Sequence, residues 1–266
     1  MGNQISTAQY AALGSFVVNF GTQTYGMLIK PNMKDIADAN HYAFSPNPMF
    51  IAAFFSGQTI LQAYWIRRLF LLKNTRHQTI EAVGGNRGNM EEMDRQIAAD
   101  EAVTAAVEYA PIFALGNLCI AGWLIFWLKE NFWAAQVLVT INTAAHLYAV
   151  ARLPPLTANS PRLLYATHFV AKSIAGIGLL DFIDNGGVAT RYRAPPTQWV
   201  QAFTFAFFPL AAALAGPFFG STIAYDILAV YVGQRNVLGA AQWGTRLGWT
   251  ALATAGVVGV KAFLSL

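Results

Sequence analysis

Runs of twenty or more mostly apolar residues recur along this chain of 266. A helix needs a run of that length to cross the hydrocarbon core of a bilayer. No water reaches that core, so each span must satisfy its own backbone polar groups, which selects helix over irregular chain. The side-chain balance agrees. Only 11% of residues are charged and mean hydropathy is +0.40, whereas a soluble domain carries roughly 25% charged residues. The expected fold is therefore all-α, a polytopic transmembrane helix bundle forming a single integral membrane domain over 1–266.

Eight spans fit best, at about 6–29, 48–72, 103–128, 131–152, 162–183, 197–216, 217–234 and 238–264. Asn19, Gln23 and several glycines dilute the first. The sixth and seventh meet at Ala215-Gly216-Pro217, which reads as a tight reversal. If those two were one kinked element, the count would be seven. A hydrophilic connector occupies about 73–102, with Gly84-Gly85 followed by Glu91, Glu92, Asp94, Arg95, Asp100 and Glu101. Its second half, 90–101, can extend the third span as a helix into water. The Gly84-Gly85-Asn86-Arg87-Gly88 run lacks the lysine and the preceding strand of a phosphate loop, so a solvated connector is the expected reading.

Eight Lys and Arg fall on the side holding the N-terminus and six on the other, a weak bias toward cytosolic termini. The N-terminus has no positive n-region or small-residue cleavage site of the signal-peptide kind. Met1-Gly2-Asn3-Gln4-Ile5-Ser6 fits the N-myristoylation pattern, although one acyl chain adds little to a polytopic protein. The net charge of +4 is spread over loops and leaves no nucleic-acid footprint. Cys119 is the sole cysteine, so no internal disulfide can form.

Five ionisable residues interrupt the spans: Glu108, His146, His168, Lys172 and Asp226. A charge in hydrocarbon costs several kcal/mol, so such groups usually face the bundle interior and mark chemistry or a transport path. From the face holding the termini, Glu108 lies at about 7 Å and both histidines at about 9 Å, by the 1.5 Å rise per residue. Asp226, Lys172, Asn142 and Gln62 fall near mid-membrane, at about 13–15 Å by the same count. His168 and Lys172 share a helix face. A carboxyl at Asp226 can serve as a proton donor, provided it is not neutralised by Lys172 as a structural pair. Glu108 can also be solvated at the boundary, and each histidine can be an interhelical hydrogen bonder. Asp181 and Arg246 form another candidate pair.

On the opposite face stand Asp35-Ile36-Ala37-Asp38 and Asp181-Phe182-Ile183-Asp184, with Lys30, Lys34, Arg191 and Arg193 nearby. Such carboxylates suit Mg²⁺ held against a diphosphate, but Asp-x-x-Asp is common by chance and reads here as solvated loop charge and a helix end. Trp123, Trp127, Trp133 and Trp199 read as interfacial belt residues.

The layout is that of a short polytopic chain with the acids Glu108 and Asp226 set in aromatic-rich helices. It resembles the fungal membrane-bound terpene cyclases of meroterpenoid pathways. The resemblance implies acid-initiated cyclisation of a prenyl or epoxy-prenyl chain on an aromatic or polyketide head, with no metal and no organic cofactor. It implies Asp226 or Glu108 as proton donor, and His168 or His146 orienting it or accepting the final proton. The substrate would be a lipophilic small molecule taken from the bilayer, and the location the endoplasmic reticulum. Tyr25, Phe54, Phe55, Tyr64, Trp65, Tyr109, Tyr225 and Tyr231 are candidate faces for stabilising the cation. Competing readings are a proton-coupled transporter using the buried His, Lys and Asp residues, an Mg²⁺-dependent prenyl transferase, and a retinal-type sensor. The sensor is disfavoured because neither Lys172 nor Lys261 sits mid-way in the last span.

Overall fold

The computed structural model describes residues 2–82 and 90–264. These form nine helices: α1 (Gly2–Leu28), α2 (Met33–Ala39), α3 (Pro48–Ala82), α4 (Met90–Leu128), α5 (Phe132–Arg152), α6 (Arg162–Ala189), α7 (Gln198–Leu214), α8 (Pro217–Gln234) and α9 (Ala241–Leu264). No strand occurs among the described residues. Apart from the short α2, every helix corresponds to an expected span. The connector is largely helical. α3 runs ten residues beyond its apolar end at Leu72, and 90–101 extends α4, as its sequence permits. The Gly84-Gly85-Asn86-Arg87-Gly88 run lies outside the described residues.

Local chemistry sets the breaks. Asn32 caps α2 with a capping box shared with Asp35, and Asn131 and Thr197 cap α5 and α7. Pro217 stands in the first turn of α8, where its missing N–H is no loss. Just upstream, Lys261 Nζ donates to the carbonyls of Ala213 and Ala215 and so closes the end of α7. Five of the helices are long and apolar enough to cross a membrane, namely the Pro48–Leu72 part of α3, Arg95–Leu128 of α4, α5, α6 and α9. That is fewer than the eight expected. α1 is diluted by its polar residues, α7 has only 17 residues, and α8 carries Ser221, Thr222, Asp226 and Gln234 within 18.

Side-chain contacts fix the helix directions. α1 runs parallel to α4, with Asn19 Nδ2 donating to Asn117 Oδ1 at 2.7 Å and Gly26 facing Leu124. α3 is antiparallel to α6, with Gln58 bonded to Ser173 and Trp65 Nε1 donating to Thr167 Oγ1 at 3.0 Å. α5 is antiparallel to both α4 and α6, the latter through Thr143 Oγ1 to the Gly178 carbonyl at 2.8 Å. α8 pairs with α9, and lies parallel to α6 where Gly176 faces Thr222. Polar bonds between helices hold a bundle together where lipid offers no hydrophobic drive.

The 40–47 segment crosses the end of the bundle and is tied to α8. Gln234 Nε2 donates to the Tyr42 carbonyl at 2.7 Å and the Ser45 carbonyl at 2.9 Å, while Trp243 Nε1 donates to Ala43 at 2.8 Å. His41 donates to the Gly233 carbonyl, and its Nε2 lies 3.1 Å from Gln234 Nε2. Burial lowers its pKa from 6.5, outweighing the Gly233 bond and the nearby Asp38, which raise it. The unfolded chain therefore binds more protons than the folded one at mildly acid pH. The stability His41 contributes is complete above about pH 6.5 and is lost as pH falls below that value. A melting temperature that drops between about pH 7 and 5, with the drop reduced in His41→Gln, is the expected result.

Candidate functional site

α1, α3, α4, α5 and α6 enclose a cavity of about 580 Å³, covered at one end by α2 and the 40–47 segment. Its lining is mostly apolar and aromatic, with Phe16 and Phe20 from α1, Phe55 from α3, and Trp123 and Trp127 from α4. The volume falls within the range of pockets that bury a drug-sized ligand. Near the far end of α1, Gln9 Nε2 donates to the Leu69 carbonyl at 2.8 Å and Tyr10 packs on Phe70, so α1 and α3 touch there. Toward α2 they part. The lining residues that are also exposed, Phe20 and Met27 on α1 and Met49, Ala52 and Ser56 on α3, place the opening between these two helices.

Asp181 and Asp184 project into this cavity from α6, which corrects their reading as solvated charges at a helix end. Ser45 Oγ donates to Asp184 Oδ1 at 2.8 Å. Asp181 is close enough to both Asp184 and Asp226 for their charges to interact. The parallel register of α6 and α8 explains the last contact, because Gly176 opposite Thr222 puts Asp226 beside Leu180 and Asp181. Asp226 is 1% exposed and its Oδ1 is buried without a hydrogen-bond partner. Among the described residues the ion pairs are Lys30–Asp35, at 2.9 Å, and Lys34–Asp38. None of Asp181, Asp184 and Asp226 therefore has a cation on it. The other Asp-x-x-Asp pair is occupied by its own lysines, as its solvated reading requires, and no three His, Cys, Asp or Glu among the described residues cluster closely enough to hold a metal.

The proposed neutralising pairs do not form. Lys172 Nζ lies 3.7 Å from where a Cβ on Gly216 would stand, at the α7–α8 turn. Asp226 is ten residues further along α8, about 15 Å away by helix rise. Arg246 Nη1 donates to Gln201 Oε1 at 2.9 Å instead of meeting Asp181. Glu108 does not face the interior. Ala105, Ala106, Tyr109 and Ala110 occupy the inward face of α4, and Glu108 falls off that stripe, exposed near the boundary.

The histidines separate as well. His168 Nε2 donates to the Pro154 carbonyl at 2.8 Å, and its Nδ1 is buried without a partner, outside the cavity. It shares its face with Lys172, close enough to feel that charge. His146 is fully buried behind Asn142. Its Nδ1 lies 3.0 Å from the Asn142 carbonyl, which can only accept, so the proton sits on Nδ1 and Nε2 is left without a donor. The ring of Tyr109 stands 6.0 Å away edge-on, and its hydroxyl is also unpartnered.

Gly116 makes this crowding possible, since a Cβ there would stand 2.2 Å from His146 Cε1 and 2.8 Å from Asn142 Oδ1. Gly116→Ala should cost about 1–3 kcal/mol, read as a lowered melting temperature in detergent. Unchanged melting would show that His146 has room to move.

Of the aromatic residues expected to flank a cation, Phe55 lines the cavity, whereas Tyr25 and Tyr64 are exposed and Trp65 and Tyr109 belong to a closed core. Trp123 and Trp127, expected in the belt, instead line the cavity and donate to Asn185 Oδ1 at 3.0 Å and the Met33 carbonyl at 3.2 Å. Trp133 and Trp199 are exposed, as a belt requires. The sequence contained a signal for the cavity wall that single charged residues obscured: polar pairs four apart, Asn19/Gln23, Gln58/Gln62 and Asn142/His146, each marking one helix face. No family model, no curated protein and no solved structure matches this chain.

Proposed function

We propose that all eight long helices cross the membrane and that the chain is an intramembrane terpene cyclase. It closes rings in a prenyl or epoxy-prenyl chain borne on a lipophilic meroterpenoid, in the endoplasmic reticulum. The observation that carries this reading is the aromatic cavity of about 580 Å³, open between α1 and α3, with carboxyls inside it that no cation neutralises. In this mechanism Asp181 gives a proton to the epoxide oxygen and the distal C–O bond breaks. Electrons of the neighbouring alkene form the new C–C bond, and the cation moves along the chain past Phe55, Trp123 and Trp127. The last cation loses a proton to a carboxylate of the cluster. The product is an isomer of the substrate, so nothing is consumed. Asp226 supports Asp181 from behind, and Glu108 and His168 take no part.

A carrier using the same carboxyls would need a polar path onward to His168 and Lys172, and neither lines the cavity, which gives that reading less support. The test uses purified protein in liposomes with a terminally epoxidised farnesyl phenol. Formation of a cyclic product of unchanged mass is expected. Quantitative recovery of intact epoxide, from protein shown to be folded, would refute the proposal.

A further inference from the structure

The turn between α7 and α8 gathers positive charge from two other helices. Lys172 Nζ of α6 lies 3.7 Å from where a Cβ on Gly216 would stand, and Lys261 Nζ of α9 donates to the Ala213 and Ala215 carbonyls. The ion pairs among the described residues are made by Lys30 and Lys34, so no carboxylate meets Lys172. α7 and α9 contain no Asp or Glu, α6 has none before Asp181, and Asp226 is about 15 Å further along α8. The start of α8 adds to the charge. Pro217 has no N–H, the Phe218 and Phe219 N–H groups precede the first bond within the helix, and the Gly216 cap has no side chain to meet them.

Depth and surroundings narrow what could sit there. Thr143 against Gly178 sets Arg152, the end of α5, level with about Phe169. Lys172 is three residues deeper, about 5 Å by helix rise, so the turn stands at headgroup depth and not at mid-membrane. Leu214 at the end of α7 and Leu264 at the end of α9 are 80% and 77% exposed, and Phe169, packed on Phe218 at 4.2 Å, is exposed as well. Acyl chains would cover such a rim, whereas a soluble anion gains nothing from it. Lys172 itself is half-buried, and an ammonium held in apolar surroundings needs a counter-charge.

We infer that the α7–α8 turn is a binding site for an anionic phospholipid in the leaflet on the side of the termini. Its phosphodiester pairs with the Lys172 and Lys261 ammoniums and accepts from the Phe218 and Phe219 N–H groups. Its acyl chains lie over Phe169 and Leu214. Zwitterionic lipid has the same phosphodiester but carries a cation beside it, which two lysines repel. The weak Lys and Arg bias puts this face toward the cytosol, where anionic lipids concentrate. Neither lysine lines the cavity. The inference needs α5, α6 and α9 to cross the membrane and takes nothing from the cyclase reading.

The test is native mass spectrometry of the protein in detergent, titrated with phosphatidylglycerol or phosphatidylcholine. Phosphatidylglycerol should bind at least about tenfold tighter, and Lys172→Gln should cut that preference about fivefold, the effect of one lysine at a membrane surface. Lys172→Arg should keep it. Arg152→Gln removes an exposed cation at nearly the same depth, held over Tyr148 on α5, and should leave the preference unchanged. Equal affinity for the two lipids, or a preference that survives Lys172→Gln, would overturn the inference. So would a loss in Arg152→Gln as large as that in Lys172→Gln, which would mean diffuse surface charge. Inorganic phosphate at constant ionic strength should not displace the lipid; displacement at millimolar phosphate would assign the turn to a soluble anion instead.

Discussion

Asp181→Asn should lower the rate of the proposed cyclisation by about 10²–10⁴-fold, the usual contribution of a positioned general acid. An amide is nearly isosteric with the acid but has no transferable proton, so ligand binding and folding should stay close to wild type. Asp226→Asn changes a group that stands behind Asp181 and does not line the cavity, and should cost less. Asp184→Asn should cost less again, because Asn Oδ1 can still accept from Ser45 Oγ. Glu108→Gln, on the outer face of α4, should leave turnover unchanged. The check is single-turnover product formation for the four variants at saturating substrate. A rate for Asp181→Asn within threefold of wild type would remove Asp181 from the chemistry, and an Asp226→Asn loss larger than that of Asp181→Asn would reverse their roles.

Gly233→Ala should be the most destabilising single-methyl change in the described chain. A Cβ there would stand 2.4 Å from the Ser45 carbonyl oxygen and 2.7–2.8 Å from the backbone of Pro46 and Asn47. These are main-chain atoms, so no rotamer relieves the clash, and α8 and the 40–47 segment must separate. The Gln234 bonds to Tyr42 and Ser45 would be strained with them, as would the Ser45–Asp184 bond at the cavity end. A loss of about 3 kcal/mol is expected, or roughly 6–12 °C in melting temperature for a chain of this size. Thermal unfolding in detergent measures it. A fall of under two degrees would show that the segment is not seated against α8 as described.

Helices were legible in the sequence because their cause is local: a long apolar run, an Asn or Thr cap, a proline at a first turn. The count of apolar spans was less so. Asn19 and Gln23 on α1 and Asp226 on α8 make those helices polar by composition, and their polar groups serve the cavity or the α6–α8 contact, which only packing reveals. Asp226 was legible as an isolated acid, but its neighbour was not. Asp181 comes to it through the parallel register of α6 and α8, a long-range fact that no spacing encodes. Lys172 misled for the same reason, because the register of α6 on α8 sets it against the start of α8 near Gly216, well short of the depth of Asp226. Glu108 shows the limit of counting charges, because one step around α4 separates the inward Tyr109 from an outward carboxylate. The polar pairs four apart carried better information, and helix faces rather than single charges point to the cavity wall.

The parting of α1 and α3 has a kinetic consequence. A cavity that opens sideways among acyl chains samples ligand from a two-dimensional solvent, so the concentration it experiences is a mole fraction in lipid. Adding substrate-free vesicle lipid at fixed bulk substrate should therefore slow the proposed reaction once the vesicles fuse or exchange, while diluting the whole suspension with buffer should leave the rate per protein untouched.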